Sequence, residues 1–134
     1  MSLALTLKSQ ERMILGSAVV RNTGRHSAHL LIETAVPILR QRDILPEKEA
    51  NTPCGRIYMA LQLIYVDEAK RDEYMNLFLR LTREVLQAAP SMASVLEKVS
   101  VSVTAGDYYK ALQQAKRLLQ YEQCVLERAA AHAK

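Results

Sequence analysis

Residues 52–66 read Thr52-Pro53-Cys54-Gly55-Arg56-Ile57-Tyr58-Met59-Ala60-Leu61-Gln62-Leu63-Ile64-Tyr65-Val66. Thr52 can cap a helix with its hydroxyl, and Pro53 suits the first helical position, where no backbone N–H is needed. From Ile57 to Val66 every residue except Gln62 is apolar or aromatic. A surface helix needs only an apolar stripe, so this stretch predicts a helix that is buried from several sides.

The chain before this helix reads as short strands. Apolar residues alternate with others or are β-branched over 3–7, 12–21, 28–34 and 36–42, and turn residues separate these runs. Pro37 cannot donate a hydrogen bond within a sheet, so the last strand is expected at an edge. Short sequential strands joined by tight turns predict an antiparallel meander, a sandwich or a small barrel.

The chain after residue 66 reads as helices. Helical spacing of apolar residues runs to Pro90, resumes after Ser91, and runs again from Asp107, with Gly106 as the preceding helix end. The run 99–103 also alternates like a strand, and we favour a helix there. The sequence therefore predicts an α+β fold in which a small N-terminal antiparallel β meander or sandwich precedes a C-terminal bundle of about four helices.

Composition limits the remaining possibilities. With 134 residues, the chain is expected to form a single domain over 1–134, with a basic β-rich part at 1–45 and a helical part at 52–128. The two cysteines belong to no metal or redox motif, and no apolar run is long enough to span a membrane, so we expect a cytoplasmic protein without a cofactor. His26 and His29 are three apart, which places them on opposite faces of a strand and argues against a metal site. No catalytic motif is present, and an enzyme is not expected.

The positive charge is concentrated at the N-terminal end of the chain. Residues 1–45 hold six basic against three acidic side chains, whereas the rest of the chain is nearly balanced. An electropositive region of this kind can attract nucleic acid or an acidic partner. No aromatic residue precedes Tyr58, however, so the rings on which RNA-binding sheets usually stack bases are absent from this region.

Five stretches of the chain together resemble the FlbT family of flagellar regulators. The resemblance covers about residues 3–127. It is carried by Leu5-Thr6-Leu7-Lys8 with Glu11, Gly16-Ser17-Ala18-Val19-Val20-Arg21-Asn22, Ile38-Leu39-Arg40-Gln41-Arg42-Asp43-Ile44, Thr52-Pro53 with Arg56-Ile57-Tyr58, Leu61-Gln62 and Tyr65, and Asp107-Tyr108-Tyr109-Lys110-Ala111-Leu112 with Tyr121-Glu122.

The resemblance implies post-transcriptional control of flagellin through the 5′ untranslated region of its messenger RNA, with repression in some members and activation in others. It also implies a companion regulator, FlaF. The chain departs from the family's usual pattern at Ser9-Gln10, where Pro-Gly is common, and at Gly55, where a second basic residue is common. The first departure weakens the turn signal, and the second removes a candidate RNA contact.

Two functional hypotheses follow. In the first, the basic β part binds the flagellin messenger leader through Lys8, Arg12, Arg21, Arg25, Arg40, Arg42 and Arg56. In the second, the protein is an adaptor that binds a FlaF-like regulator or flagellin through the amphipathic stripe of the last helix, at Leu118, Leu119, Glu122 and Val125. A homo-oligomer is compatible with either hypothesis.

Overall fold

The computed structural model describes residues 2–132, with side chains for 2–129, and confirms the α+β fold. The chain divides into two compact units, Met1–Ile44 and Leu45–Lys134, which we call the β unit and the helical unit. The β unit contains five strands and the helical unit contains the four α-helices of the described residues. The expectation of a single domain over 1–134 stays a prediction.

The β unit consists of two small antiparallel sheets. Strand β1 (Leu3–Leu7) pairs with β4 (Ala28–Ile32). Strand β2 (Arg12–Leu15) lies between β3 (Ala18–Arg21) and β5 (Ile38–Arg40). Strand β5 is therefore an edge strand, as the proline before it predicted.

Two strand predictions need correction. The single strand predicted over 12–21 is a hairpin, because Gly16 takes a φ of +63° and turns the chain between β2 and β3. A two-residue Gly-Ser loop between apolar runs is a hairpin signal that could have predicted this turn. The strand predicted over 36–42 is shorter, since Gln41–Asp43 form a 3-10 turn.

The turn between β1 and β2 forms without a glycine. Gln10 adopts a φ of +65°, a conformation that glycine takes more easily than any residue with a side chain. Its backbone N–H donates to the carbonyl of Asn22 over 2.7 Å, and Asn22 donates in return to the carbonyl of Glu11. These two hydrogen bonds extend the β2–β3 pairing beyond the ends of the strands.

The helical unit contains α1 (Pro53–Val66), α2 (Arg71–Ala88), α3 (Ala93–Thr104) and α4 (Tyr108–His132). The predicted start of α1 is confirmed, because the Thr52 hydroxyl accepts from the Gly55 N–H over 3.0 Å. Ile57, Leu61 and Ile64 are fully buried, so α1 is the core helix that its sequence predicted. Residues 99–103 lie in α3, which settles the choice between strand and helix.

The one polar residue inside the apolar run of α1 has a specific partner. Gln62 is buried, and its side-chain oxygen accepts from the backbone N–H of Leu45 over 2.8 Å. This hydrogen bond holds the segment that precedes α1 against the helix. A buried amide that is satisfied in this way avoids the cost of losing its hydrogen bonds to water.

Candidate nucleic-acid interface

The structure distributes the seven predicted RNA contacts between both units. Six lie in the β unit, where Lys8, Arg12, Arg21, Arg25 and Arg42 are exposed and Arg40 is half-buried. Arg56 lies on the surface of α1 in the helical unit. The seven cations therefore do not form one continuous site within either unit.

Arg12 and Arg21 form the centre of the candidate interface. They are direct cross-strand partners in the β2–β3 pair, so both side chains leave the sheet on the same face. Among the described residues, no carboxylate lies within ion-pair distance of either guanidinium. Like charges opposite one another weaken a strand pair, and an anion placed between them relieves the repulsion.

An apolar residue extends the same face. Val19 is two positions from Arg21 and is 69% exposed, and its cross-strand partner Ile14 is half-buried. The face thus offers two guanidinium groups beside a small apolar surface. That combination suits a nucleic-acid strand whose phosphates contact the guanidinium groups while its sugars and bases contact the apolar surface.

Asn22 links the backbone beside two further cations to the end of β3. It follows Arg21 directly, and its side-chain amide donates to the carbonyls of Leu7 over 3.0 Å and His26 over 2.9 Å. Leu7 precedes Lys8, and His26 follows Arg25. The sequence analysis missed this positioning residue, although its turn chemistry marked it as a hydrogen-bonding side chain. We call the resulting group the basic end. It comprises Lys8, Arg12, Arg21 and Arg25.

Arg40 has a structural partner, and whether it also contacts RNA stays a prediction. It pairs with Met13 across the sheet, so it lies on the face opposite Arg12. Its guanidinium donates to the Thr6 carbonyl over 2.7 Å and forms an ion pair with Glu11 at 3.1 Å. The same carboxylate accepts from the backbone N–H of Lys8 over 2.9 Å.

The pKa of Glu11 lies below its ordinary value for this reason. The Lys8 N–H stabilises the carboxylate most, burial opposes the effect, and the hydrogen bond and charge of Arg40 lower the pKa further. Arg40 therefore joins β5 to the turn between β1 and β2. Substituting Arg40 would alter the structure as well as the charge of the β unit.

The remaining two candidates are not counted in the basic end. Arg42 is 80% exposed, and its Nε lies 4.0 Å from the carboxylate of the buried Asp43. Arg56 lines a groove in the helical unit together with Arg80 and Glu84. The acidic neighbour of Arg42 lowers the attraction that this arginine has for phosphate.

The predicted partner-binding residues of α4 also separate. Leu118 is 1% exposed and belongs to the core, so the structure corrects its assignment to a partner surface. Leu119 and Glu122 are half-buried, and Val125 is exposed. Whether the accessible residues bind a partner stays a prediction.

Glu122 has a role that the sequence did not reveal. Its Oε2 accepts from the backbone N–H of Cys54 over 3.0 Å, at the first turn of α1. A carboxylate is favourable at a helix N-terminus because it meets unpaired N–H groups and the positive end of the helix dipole. Burial raises the pKa of the Cys54 thiol to about 12, and the charge of Glu122 and its hydrogen bond contribute in the same direction.

The part of the chain that the structure describes contains neither a cluster of metal ligands nor a membrane-spanning helix. Within it, no group of three or more His, Cys, Asp and Glu side chains could hold a metal ion. No described helix has the length and apolar character required to cross a bilayer.

Comparison with known proteins gives a consistent result. The family model described as "Flagellar protein FlbT" matches residues 3–126. The chain is 37% identical over 123 residues to a probable flagellum biosynthesis repressor protein FlbT 1 of Bradyrhizobium diazoefficiens, covering 92% of this chain and 84% of the relative. It is 35% identical to the corresponding probable repressor of Rhodopseudomonas palustris, covering 96% and 100%.

A third relative is the flagellum biosynthesis repressor protein FlbT of Caulobacter vibrioides. It is 30% identical over 124 residues, which cover 91% of this chain and 87% of the relative. No solved structure matches the chain.

Proposed function

Because the chain belongs to the FlbT family of flagellar proteins, we propose that it regulates flagellin synthesis after transcription, by binding the 5′ untranslated region of flagellin messenger RNA. The family supports the broader role, regulation of flagellar synthesis, since its relatives are named repressors of flagellum biosynthesis. The repressor names also favour a negative effect on flagellin production. Family membership gives no indication of catalysis.

The observation that carries the RNA proposal is the pair Arg12 and Arg21. Two directly opposed, exposed arginines without a carboxylate partner among the described residues leave repulsion that an RNA phosphate would remove. Arginine is also suited to phosphate because its planar fork can donate two parallel hydrogen bonds. The β unit lacks aromatic residues, so we expect binding dominated by phosphate contacts and by RNA shape.

A retention assay with the flagellin leader RNA, across a series of salt concentrations, tests this function. Each phosphate contact with a single-stranded region contributes about 0.7 to the slope of log affinity against log salt. The double variant Arg12→Gln/Arg21→Gln should therefore lower the magnitude of that slope by about 1.4 and weaken binding. The control Arg83→Gln/Lys98→Gln removes the same charge from exposed positions on α2 and α3 and should change binding much less.

Two results would contradict the proposal. The wild-type protein could retain the leader RNA no better than a scrambled RNA of equal length and composition. Alternatively, the two double variants could weaken binding equally, which would indicate an effect of net charge alone. Asn22→Ala adds a further test, because it keeps every charge but removes the hydrogen bonds from Asn22 to the Leu7 and His26 carbonyls.

A second candidate function is that of a protein adaptor for a FlaF-like regulator or flagellin. The exposed apolar side chains near the end of α4, including Val125, favour it. Purified candidate partners would be tested for binding by calorimetry without RNA present. Val125→Asp should abolish the binding of a partner that contacts this surface, and an unchanged affinity would exclude the surface as its binding site.

A further inference from the structure

The last helix extends beyond the core that it helps to form. Ala111, Ala115 and Leu118 are buried on one stripe of α4, and Glu122 and Val125 continue that stripe at the same spacing of four and three residues. Glu122 is its last partly buried member, because residues 123–129 are all exposed. We call residues 123–129 the overhang.

The overhang presents apolar side chains to solvent. Val125 and Leu126 are 42% and 50% exposed, and Tyr121 lies one turn before Val125 with comparable exposure. The other exposed large apolar residues of the helical unit are spread over three helices. These are Leu79 on α2, Val101 on α3 and Tyr109 at the start of α4. The overhang is therefore the densest exposed apolar segment among the described helices, as expected of a contact surface.

A groove of matching character lies between α1 and α2. Its volume is about 510 Å³, within the range of sites that hold several apolar groups. Its lining combines apolar residues, among them the small and buried Ala60, with charged residues of both signs. The lining residues are Glu47, Ala50, Arg56, Met59, Ala60, Leu77, Arg80, Leu81 and Glu84.

The overhang and the groove occupy the same end of the helical unit. The hydrogen bond from the Cys54 N–H to Glu122 fixes the start of the overhang at the N-terminus of α1. Ala50 and Arg56, which line the groove, lie on either side of that N-terminus in the chain. A two-fold axis at this end can therefore bring each overhang to the groove of the other copy. Such an exchange closes a dimer and leaves neither surface free.

We propose that this protein forms a two-fold dimer in which the overhang of each copy docks into the groove between α1 and α2 of the other copy. Val125 and Leu126 enter the groove above Ala60. Glu127 and Arg128 meet the oppositely charged Arg80 and Glu84 at its rim. Among the described residues neither Arg80 nor Glu84 has an ion pair, so both are available for this contact. The proposal is independent of RNA binding.

Light scattering during size-exclusion chromatography, over a range of protein concentrations, measures the dimer directly. Leu126→Asp places a charge against the apolar residues of the groove and should raise the dissociation constant at least about tenfold. Ala60→Leu fills the groove without changing any charge and should act in the same direction. Val101→Asp makes the same kind of change at an exposed apolar position on α3 and should leave the dimer intact.

Cross-linking tests the docking geometry. Cys124 is exposed beside Val125, whereas Cys54 is buried and unreactive. Glu84→Cys places a thiol at the rim of the groove, and a short bismaleimide should then join two copies through Cys124. Glu97→Cys provides the matched control on α3, where no cross-link between copies is expected, and Cys124→Ser should abolish the product.

The proposal fails if the wild-type protein stays monomeric at all concentrations. It also fails if the dimer tolerates both Leu126→Asp and Ala60→Leu. A yield of cross-linked product from Glu97→Cys equal to that from Glu84→Cys would contradict it too. Ala60 is buried, so circular dichroism must confirm that Ala60→Leu is folded. If Ala60→Leu does not fold, Leu126→Asp still decides the test, because its position is half-exposed. Binding of a purified FlaF-like protein to the groove of a monomer would identify another occupant and overturn the dimer.

Discussion

The carboxylate of Glu11 should stabilise the β unit in a way that depends on pH. It accepts a hydrogen bond from the Lys8 N–H and forms an ion pair with Arg40, which also donates to the Thr6 carbonyl. Glu11→Ala removes both interactions. Glu11→Gln removes the charge but keeps an oxygen that can accept from the Lys8 N–H. Comparing the two variants therefore separates the hydrogen bond from the ion pair.

The expected magnitudes follow from these contacts. A hydrogen bond from a backbone N–H contributes about 1 kcal/mol net. The ion pair contributes only about 0.5 kcal/mol, since both side chains retain some exposure and solvent screens them. Glu11→Ala should thus lower the free energy of unfolding of the β unit by about 1.5 kcal/mol, and Glu11→Gln by about 0.5 kcal/mol.

The pH dependence has a definite sign. The folded state lowers the pKa of Glu11 from 4.5, so the folded protein binds this proton less readily than the unfolded chain does. The stabilisation is therefore fully present above pH 4.5 and is lost as the pH falls through the lower pKa of the folded state. The difference between wild type and Glu11→Gln should disappear over that interval.

Hydrogen exchange of the β1 and β2 amides is the appropriate measurement. All aromatic residues follow residue 57, so tyrosine fluorescence reports only on the helical unit. Protection of these amides, measured at neutral pH and at a pH below the titration of Glu11 in the folded state, gives the difference in local stability between variants. A difference of the same size at both pH values would refute the assigned role of the carboxylate, as would wild-type protection in Glu11→Ala at neutral pH.

Three further predictions concern single positions. Gln10→Gly should stabilise the β unit and Gly16→Ala should destabilise it, each by about 1 kcal/mol, because both positions have positive φ. Amide exchange of the hairpin measures both changes in stability, and two changes of the same sign would contradict the prediction. Glu122→Ala should lower the free energy of unfolding of the helical unit by about 1–2 kcal/mol, because it removes the hydrogen bond from the Cys54 backbone N–H. A urea midpoint equal to wild type would exclude a capping role for Glu122. Cys124 alone should react with a thiol reagent in the native protein, and labelling of both cysteines before unfolding would show that Cys54 is accessible.

The sequence predicted the helical unit more accurately than the β unit. The helices contain long periodic runs and carry clear start and end signals, such as Thr52-Pro53 before α1 and Gly106 before α4. The strands are three to five residues long, so one missed turn at Gly16 merged two of them. The turn at Gln10 forms despite an unfavourable residue, because its backbone pairs with Asn22 from the next hairpin.

The candidate interface could be predicted as a set of charges but not as an arrangement. A count of basic residues makes Arg12, Arg21 and Arg40 equally good candidates for RNA contacts. Strand register places the first two on one face and the third on the other, where Glu11 neutralises it. The role of Glu122 was equally hidden, since its partner is a backbone N–H 68 residues earlier in the chain.

The sequence by itself determined the order of strands and helices, the caps that begin α1 and α4, the positive bias of the first 45 residues and the family. Each of these depends on neighbouring residues or on composition. Only the tertiary structure decided which charges remain available, which apolar side chains stay exposed, and which residues meet across the sheet. Successive side chains of a strand point to opposite faces, so a shift of one residue in register would exchange Arg12 for Met13 at the surface. That register is fixed by the turn at Gly16 within the hairpin and by the pairing of β2 with β5.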